Sequence, residues 1–262
     1  MTTHVADRIK RIADAFPDDR LSFQKGVPTF HPESAAEAAA FLKLAADTGQ
    51  PVYITGFGNN INPVGPDFEE LLVLRTDRLG ALSALNLDEL WVQAQAGFPL
   101  REINVKLADS GAFFPPSNLP YVGSVGGALA VGLAAGLDPA FWAGKPTPDG
   151  DRPAEITLER YLLELEVALP TGEVKRLGSP AQKSGAENFA RIFTPSWGQF
   201  GLIVAAKFRL LPDSARPEYQ NLKQHAVSGE EFFAEIGQPD SYLSKVKRKF
   251  DPKSVLQLIK PN

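Results

Sequence analysis

Residues 34–60 constrain the fold most, because a capped helix, its stop, a strand and a glycine-rich loop follow one another without a break. Ser34-Ala35-Ala36-Glu37 is a capping box: the serine oxygen accepts an early backbone N–H and the glutamate reaches back. The predicted helix runs through Phe41 and Leu44 and stops near Gly49. Gln50-Pro51 leads into Val52-Tyr53-Ile54-Thr55, a short buried strand, and Gly56-Phe57-Gly58-Asn59-Asn60 follows at once. Glycine has no Cβ and tolerates positive φ, so such a loop brings backbone N–H groups close to a concentrated negative charge. An ordinary tight turn needs the same residues. The dinucleotide fingerprint of doubly wound folds is absent: Ile61 stands where its third glycine belongs, and Asn62-Pro63 breaks the helix it requires.

A second loop favours the anion-binding alternative. Pro115-Pro116-Ser117-Asn118 leads through Tyr121 into Gly123-Ser124-Val125-Gly126-Gly127-Ala128. Gly126-Gly127 at a predicted helix start permits close backbone approach, and such a start is expected to offer free N–H groups. The competing reading is a tightly packed glycine–alanine helix.

The rest of the chain predicts an α+β fold of two subdomains that join near residue 80. Residues 1–27 read as an amphipathic helix and a connector, with Val5, Ile9, Ile12, Ala13 and Phe16 at helical spacing. Strands are expected at Leu71–Leu74, Trp91–Ala96, Tyr161–Leu169, Val174–Leu177 and Leu202–Leu211, and a helix over Pro99–Ser110. Parallel pairing is expected in the first third and hairpins in the middle. Residues 138–155 read as a surface loop, 213–240 as poorly patterned, and 241–258 as a helix. That helix carries Lys245, Lys247, Arg248 and Lys249, read as a solvated face.

Composition narrows the chemistry. The chain of 262 residues has no cysteine, which removes disulfides, thiolate nucleophiles and cysteinyl cofactor attachment. His4, His31 and His225 are dispersed, so no metal site is expected. The net charge of -4 gives no nucleic-acid surface. No apolar run reaches the roughly 20 residues of a membrane helix, and no apolar leader is visible, so a cytoplasmic location is expected. Redox chemistry here would have to come from a bound cofactor.

Six blocks, in order, resemble the PCMH-type FAD-binding family, which includes vanillyl-alcohol oxidase, p-cresol methylhydroxylase and the FAD-linked glycolate and D-lactate dehydrogenases. They are His31-Pro32-Glu33-Ser34, the loop 56–60, Pro116 to Ala130, Leu163 to Gly172, Ser196-Trp197-Gly198-Gln199-Phe200-Gly201-Leu202-Ile203, and Lys247 to Leu256 with its Phe250-Asp251-Pro252. The resemblance implies an FAD-binding domain over 28–212, with subdomains of about 28–80 and 81–212. It implies cofactor contacts at Gly56, Phe57, Gly58, Asn59, Asn60, Pro116, Ser117, Gly123, Ser124, Gly126 and Gly127, with Gly201 and Ile203 near the adenine or ring end. The histidine that attaches FAD covalently in many members has no counterpart here, so FAD is expected to be non-covalent. Trp197 replaces a usual acidic residue, either as a stacking surface or as packing.

The family's cap domain, which supplies substrate and catalytic residues, is missing from this pattern: residues 213–262 are expected to form a tail with a C-terminal helix in its place. The resemblance therefore implies a FAD-linked oxidoreductase subunit of glycolate/D-lactate-oxidase type. It would take a hydride from a 2-hydroxy acid and pass electrons to a partner subunit, with that partner or a second copy covering the flavin. A non-catalytic FAD-binding or scaffold module is the alternative, and a cell-wall UDP-N-acetylenolpyruvoylglucosamine reductase a remoter one. Tyr121, Arg160, Tyr161, Lys183 and His225 lie near these blocks or in the tail. None is assigned as a catalytic base.

Overall fold

A computed structural model describes residues 3–59, 63, 68–137, 155–178, 189–219, 222–225 and 229–259. Asn60, Lys183 and residues 138–154 of the expected surface loop 138–155 lie outside them, and Glu155 begins a short strand, Glu155–Thr157.

Helix α1 (Thr3–Ala13) buries the predicted face of Val5, Ile9 and Ile12. The connector after it is not featureless. Strands β1 (Leu21–Gln24) and β2 (Val27–Phe30) form a hairpin around Lys25 (φ 50°) and Gly26 (φ 86°). Two successive left-handed residues match the right-handed twist of the flanking strands. Helix α2 (Ala35–Thr48) starts where the capping box predicts: Ser34 Oγ accepts from Glu37 N at 3.1 Å. It ends on Gly49 in the left-handed conformation. Strands β3 (Val52–Thr55) and β4 (Leu72–Arg75) complete a four-stranded sheet of order β1-β2-β4-β3. As expected, the β2–β4 and β3–β4 pairs are parallel.

The chain then enters a five-stranded antiparallel sheet. Its strands are β5 (Leu82–Asn86), β6 (Trp91–Gln95), β7 (Leu162–Ala168), β8 (Val174–Leu177) and β9 (Leu202–Arg209), in the order β8-β7-β9-β6-β5. Helix α3 (Val125–Val131) packs on it, and Phe114, Phe193, Phe200 and Phe208 fill the core between. A second core joins the two sheets. Phe30 stacks on Phe41 of α2 with ring centroids 4.1 Å apart, and Ala168, Leu202 and Val204 of the second sheet belong to the same cluster.

Two helix expectations are corrected. Pro99–Ser110 is a 3-10 turn (Leu100–Glu102) and one α turn (Ile103–Lys106). Asn104 is the reason. Its side chain bonds Phe114 through both N and O and also reaches Asn118 Oδ1, tying the segment to the Pro115–Asn118 turn. At the C-terminus, helix α4 (Glu230–Ile236) lies in the stretch expected to be unpatterned, and α5 (Tyr242–Phe250) stops eight residues before 258. Phe232, Phe233, Val246 and Phe250 bury into the larger core, so the tail is packed onto the second sheet's layer. Among the described residues no helix is long and apolar enough to cross a membrane.

Candidate functional site

A cleft opens where the two sheets meet. Its first wall is the end of β3 and the loop after it, Tyr53 to Asn59. Its second is the turn before α3, with Tyr121, Gly123, Ser124, Gly126 and Gly127. Its third is Ser196 to Gly198 with Gly201, Leu202 and Ile203. Of the expected contact residues, the structure thus brings together Gly56, Phe57, Gly58, Asn59, Gly123, Ser124, Gly126, Gly127, Gly201 and Ile203. Pro116 and Ser117 are not among them. They sit buried in the 3-10 turn, where Ser117 Oγ accepts from Asn104 N at 3.2 Å. The hydroxyl is committed to the chain's own backbone.

The two glycine loops touch. A Cβ on Gly56 would stand 2.6 Å from Ser124 Oγ, and Asn59 Nδ2 donates to Val122 O at 3.2 Å. In the first loop Gly58 has φ 80°, and Arg75 at the end of β4 donates from Nη2 to Phe57 O at 2.8 Å. With that carbonyl held back, the N–H groups of Gly56, Phe57, Gly58 and Asn59 have no acceptor among the described residues.

The α3 start differs from its expectation. Val125 N donates to Phe98 O at 2.9 Å, Gly126 N to Ala96 O at 2.8 Å, and Gly127 N to Ser124 Oγ at 3.2 Å. These groups are already satisfied. Gly126 is small because a Cβ there would stand 2.6 Å from Ala96 Cβ on the second sheet, and Gly123 because its Cβ would overlap the Tyr121 ring.

The walls carry further polar atoms that sequence reading did not single out. Thr76 Oγ1, Ser196 Oγ and Trp197 Nε1 are buried, line the cleft and have no hydrogen-bond partner among the described residues. Buried polar atoms left unpaired are costly, so a ligand with polar groups fits here. Burial pushes the phenols of Tyr53 and Tyr121 up to about 12. Both therefore remain neutral donors, not bases. Behind the first wall, burial of Asp77 opposes its ionisation. Its bond to His31 (2.7 Å) and the nearby Arg75 outweigh that and hold its carboxyl below the usual range.

The remaining candidates lie elsewhere. Tyr161 is buried in the larger core and Arg160 stands beside it on a short helix. His225 is exposed and lines a second, wider cavity of about 660 Å³, where Val131 and Trp197 are shared with the cleft. Trp197 packs its ring on Phe233 with centroids 4.9 Å apart and also walls the cleft. No Asp, Glu, Lys, Arg or His lines the cleft among the described residues, and no group of three metal-ligating side chains gathers anywhere among them.

The architecture is a two-sheet α+β fold with a glycine-lined cleft between the sheets. Residues 28–139 match the FAD binding domain family. It is 26% identical over 219 residues to D-lactate dehydrogenase of Archaeoglobus fulgidus, covering 79% of this chain and 46% of that protein. It is 25% identical over 202 residues to the mitochondrial D-lactate dehydrogenase [cytochrome] of Arabidopsis thaliana, covering 75% and 30% respectively. The fold is that of 4-ethylphenol oxidase from Gulosibacter chungangensis, with a TM-score of 0.60 over 81% of this chain and 43% of that one at 17% identity. The chain thus spans less than half the length of these proteins.

Proposed function

We propose that the cleft holds FAD non-covalently and that the chain is the cofactor-binding part of a FAD-linked oxidoreductase acting on a 2-hydroxy acid. The observation that carries this is the first loop: among the described residues, its four consecutive N–H groups have no acceptor, and the neighbouring Thr76, Ser196 and Trp197 atoms have no partner. Gly56 to Asn59 would hold the pyrophosphate, assisted at its base by Arg75. The non-covalent reading rests on the absence of any cysteine, and of any histidine along the described cleft walls.

When bound, FAD supplies a two-electron acceptor for the substrate carbon. The chain's own residues supply binding, shape and a wall that excludes water. Among the described residues they offer no cation for a carboxylate and no base for a hydroxyl along the cleft. We infer that both come from outside these walls, from a partner subunit, a second copy or the wider cavity beside Trp197, and that electrons pass on to such a partner. The absence of charge in the cleft also favours a second reading, a non-catalytic FAD-binding module within a larger assembly.

The test is the visible spectrum of the purified chain before and after acid precipitation, followed by anaerobic addition of D-lactate or glycolate with and without co-purifying proteins. Flavin bands that move to the supernatant and bleach with hydroxy acid in the complex are expected. A colourless chain that takes up no FAD overturns the binding claim. A flavin never reduced in the complex favours the second reading.

A further inference from the structure

The C-terminal tail touches the cleft from behind through a chain of contacts that the binding role does not use. Residues 255–257 run along the free edge of β3. Val52 N donates to Val255 O and Gln257 N to Val52 O, both at 2.8 Å, so this strap extends the first sheet by one parallel bridge. It is fastened at its root. Asp251 is 0% exposed, and its carboxylate accepts Val255 N at 3.0 Å, Leu256 N at 2.9 Å and Lys247 Nζ at 2.6 Å. Lys247 Nζ also donates to Leu256 O at 2.7 Å. Lys247 thus turns inward, with 14% of its side chain exposed, while Lys245, Arg248 and Lys249 keep the expected solvated face.

The far end of the strap reaches another wall. Gln199, buried between the cleft residues Gly198 and Gly201, donates from Nε2 to Gln257 O at 2.9 Å. The strap therefore holds two walls at once: β3, which ends in the first glycine loop, and the Ser196–Gly201 turn. A carboxylate that satisfies two backbone N–H groups and an ammonium fixes three chain positions in one geometry. The two walls also meet directly, since a Cβ on Gly198 would stand 3.1 Å from Ile54 Cβ of β3, and the strap adds hydrogen bonds to that packing.

We propose that Lys247, Asp251 and Gln199 are positioning residues that set the spacing of the FAD cleft by clamping the strap between its walls. This rests on the reading that the cleft holds FAD. None of the three touches the cofactor in this account; each acts through backbone it holds. The tail is then a brace for the cofactor site as well as part of the core.

The test uses the full chain and two readouts: FAD affinity by flavin fluorescence, and amide hydrogen exchange of the cofactor-free protein. Gln199→Leu keeps side-chain size and removes one link. It should weaken FAD binding by about five- to tenfold, the scale of one buried hydrogen bond. It should also speed exchange in 52–59 and 196–201 without FAD present. The paired change Lys247→Met with Asp251→Asn avoids a lone buried charge and should speed exchange at 255–257 and in 52–59. Ile12→Val, under α1, provides the control: it lowers the thermal midpoint and should leave FAD affinity unchanged. Wild-type affinity in Gln199→Leu, or an equal loss in Ile12→Val, overturns the proposal. If the wild-type chain binds no FAD, the reading of the cleft fails, and the clamp then stands or falls on the exchange rates alone. Unchanged rates in 52–59 overturn it.

Discussion

The two glycine loops look alike as strings of residues and differ in what their glycines are for. In Gly56–Asn59 the backbone N–H groups have no acceptor among the described residues, and Gly58 takes a conformation that favours glycine. In Gly123–Gly127 no glycine has positive φ, and Val125, Gly126 and Gly127 already donate within the protein. Among the described residues, one loop leaves its donors unpaired. The other uses small size so that a helix can lie against a strand and a tyrosine can lie beneath a turn. A glycine-rich stretch can therefore face a cofactor without being the group that holds it.

Substitutions separate the two roles. Gly126→Ala should have the largest effect, and on stability: its Cβ would stand 2.6 Å from Ala96 Cβ, and overpacking of this kind costs about 1–3 kcal/mol, read by urea unfolding.

Alkaline pH comes next and treats both walls alike. Tyr53 and Tyr121 have phenols raised to about 12 by burial, against about 10 in the unfolded chain. Between these values the unfolded state releases protons that the folded state keeps, so stability is intact below pH ~10 and falls as pH rises towards ~12. The loss should reach up to about 2 kcal/mol for each ring, measured as thermal midpoint against pH alongside a tyrosinate titration.

Gly58→Ala should act chiefly on the cofactor. A side chain at φ 80° costs about 1–2 kcal/mol, and a loop that relaxes away from this geometry should bind FAD about tenfold more weakly. Asn59→Ala should have the smallest effect, about threefold in FAD affinity, because it loses a single side-chain bond to Val122 O. Should Gly126→Ala weaken FAD binding far more than Gly58→Ala in folded protein, the division of roles is wrong.

Local signals made much of this legible in the sequence. The capping box placed α2, Gly49 ended it, and the apolar run 52–55 with its glycine loop placed the cleft's first wall. Spacing alone could not report which N–H groups are already taken, because Phe98 and Ala96 lie far from Ser124 in pattern and meet it only when α3 docks. The place of Ser117 was hidden for the same reason: its partner Asn104 comes from a segment whose helical pattern is broken by that bond and its neighbours. The β1–β2 hairpin had a signal, Lys25-Gly26 between two short extended runs, but Pro28 inside the second run disguises it as a connector. The inward turn of Lys247 had none, since only the fold shows which basic residue meets Asp251.

The central claim is that the first loop, and not the α3 start, supplies the backbone donors for FAD. Amide-resolved hydrogen exchange with and without FAD tests it most directly. The account predicts that Gly56, Phe57, Gly58 and Asn59 exchange quickly in the free chain and become protected on binding, while Val125, Gly126 and Gly127 are protected in both. New protection at 125–127 with none at 56–59 would contradict it.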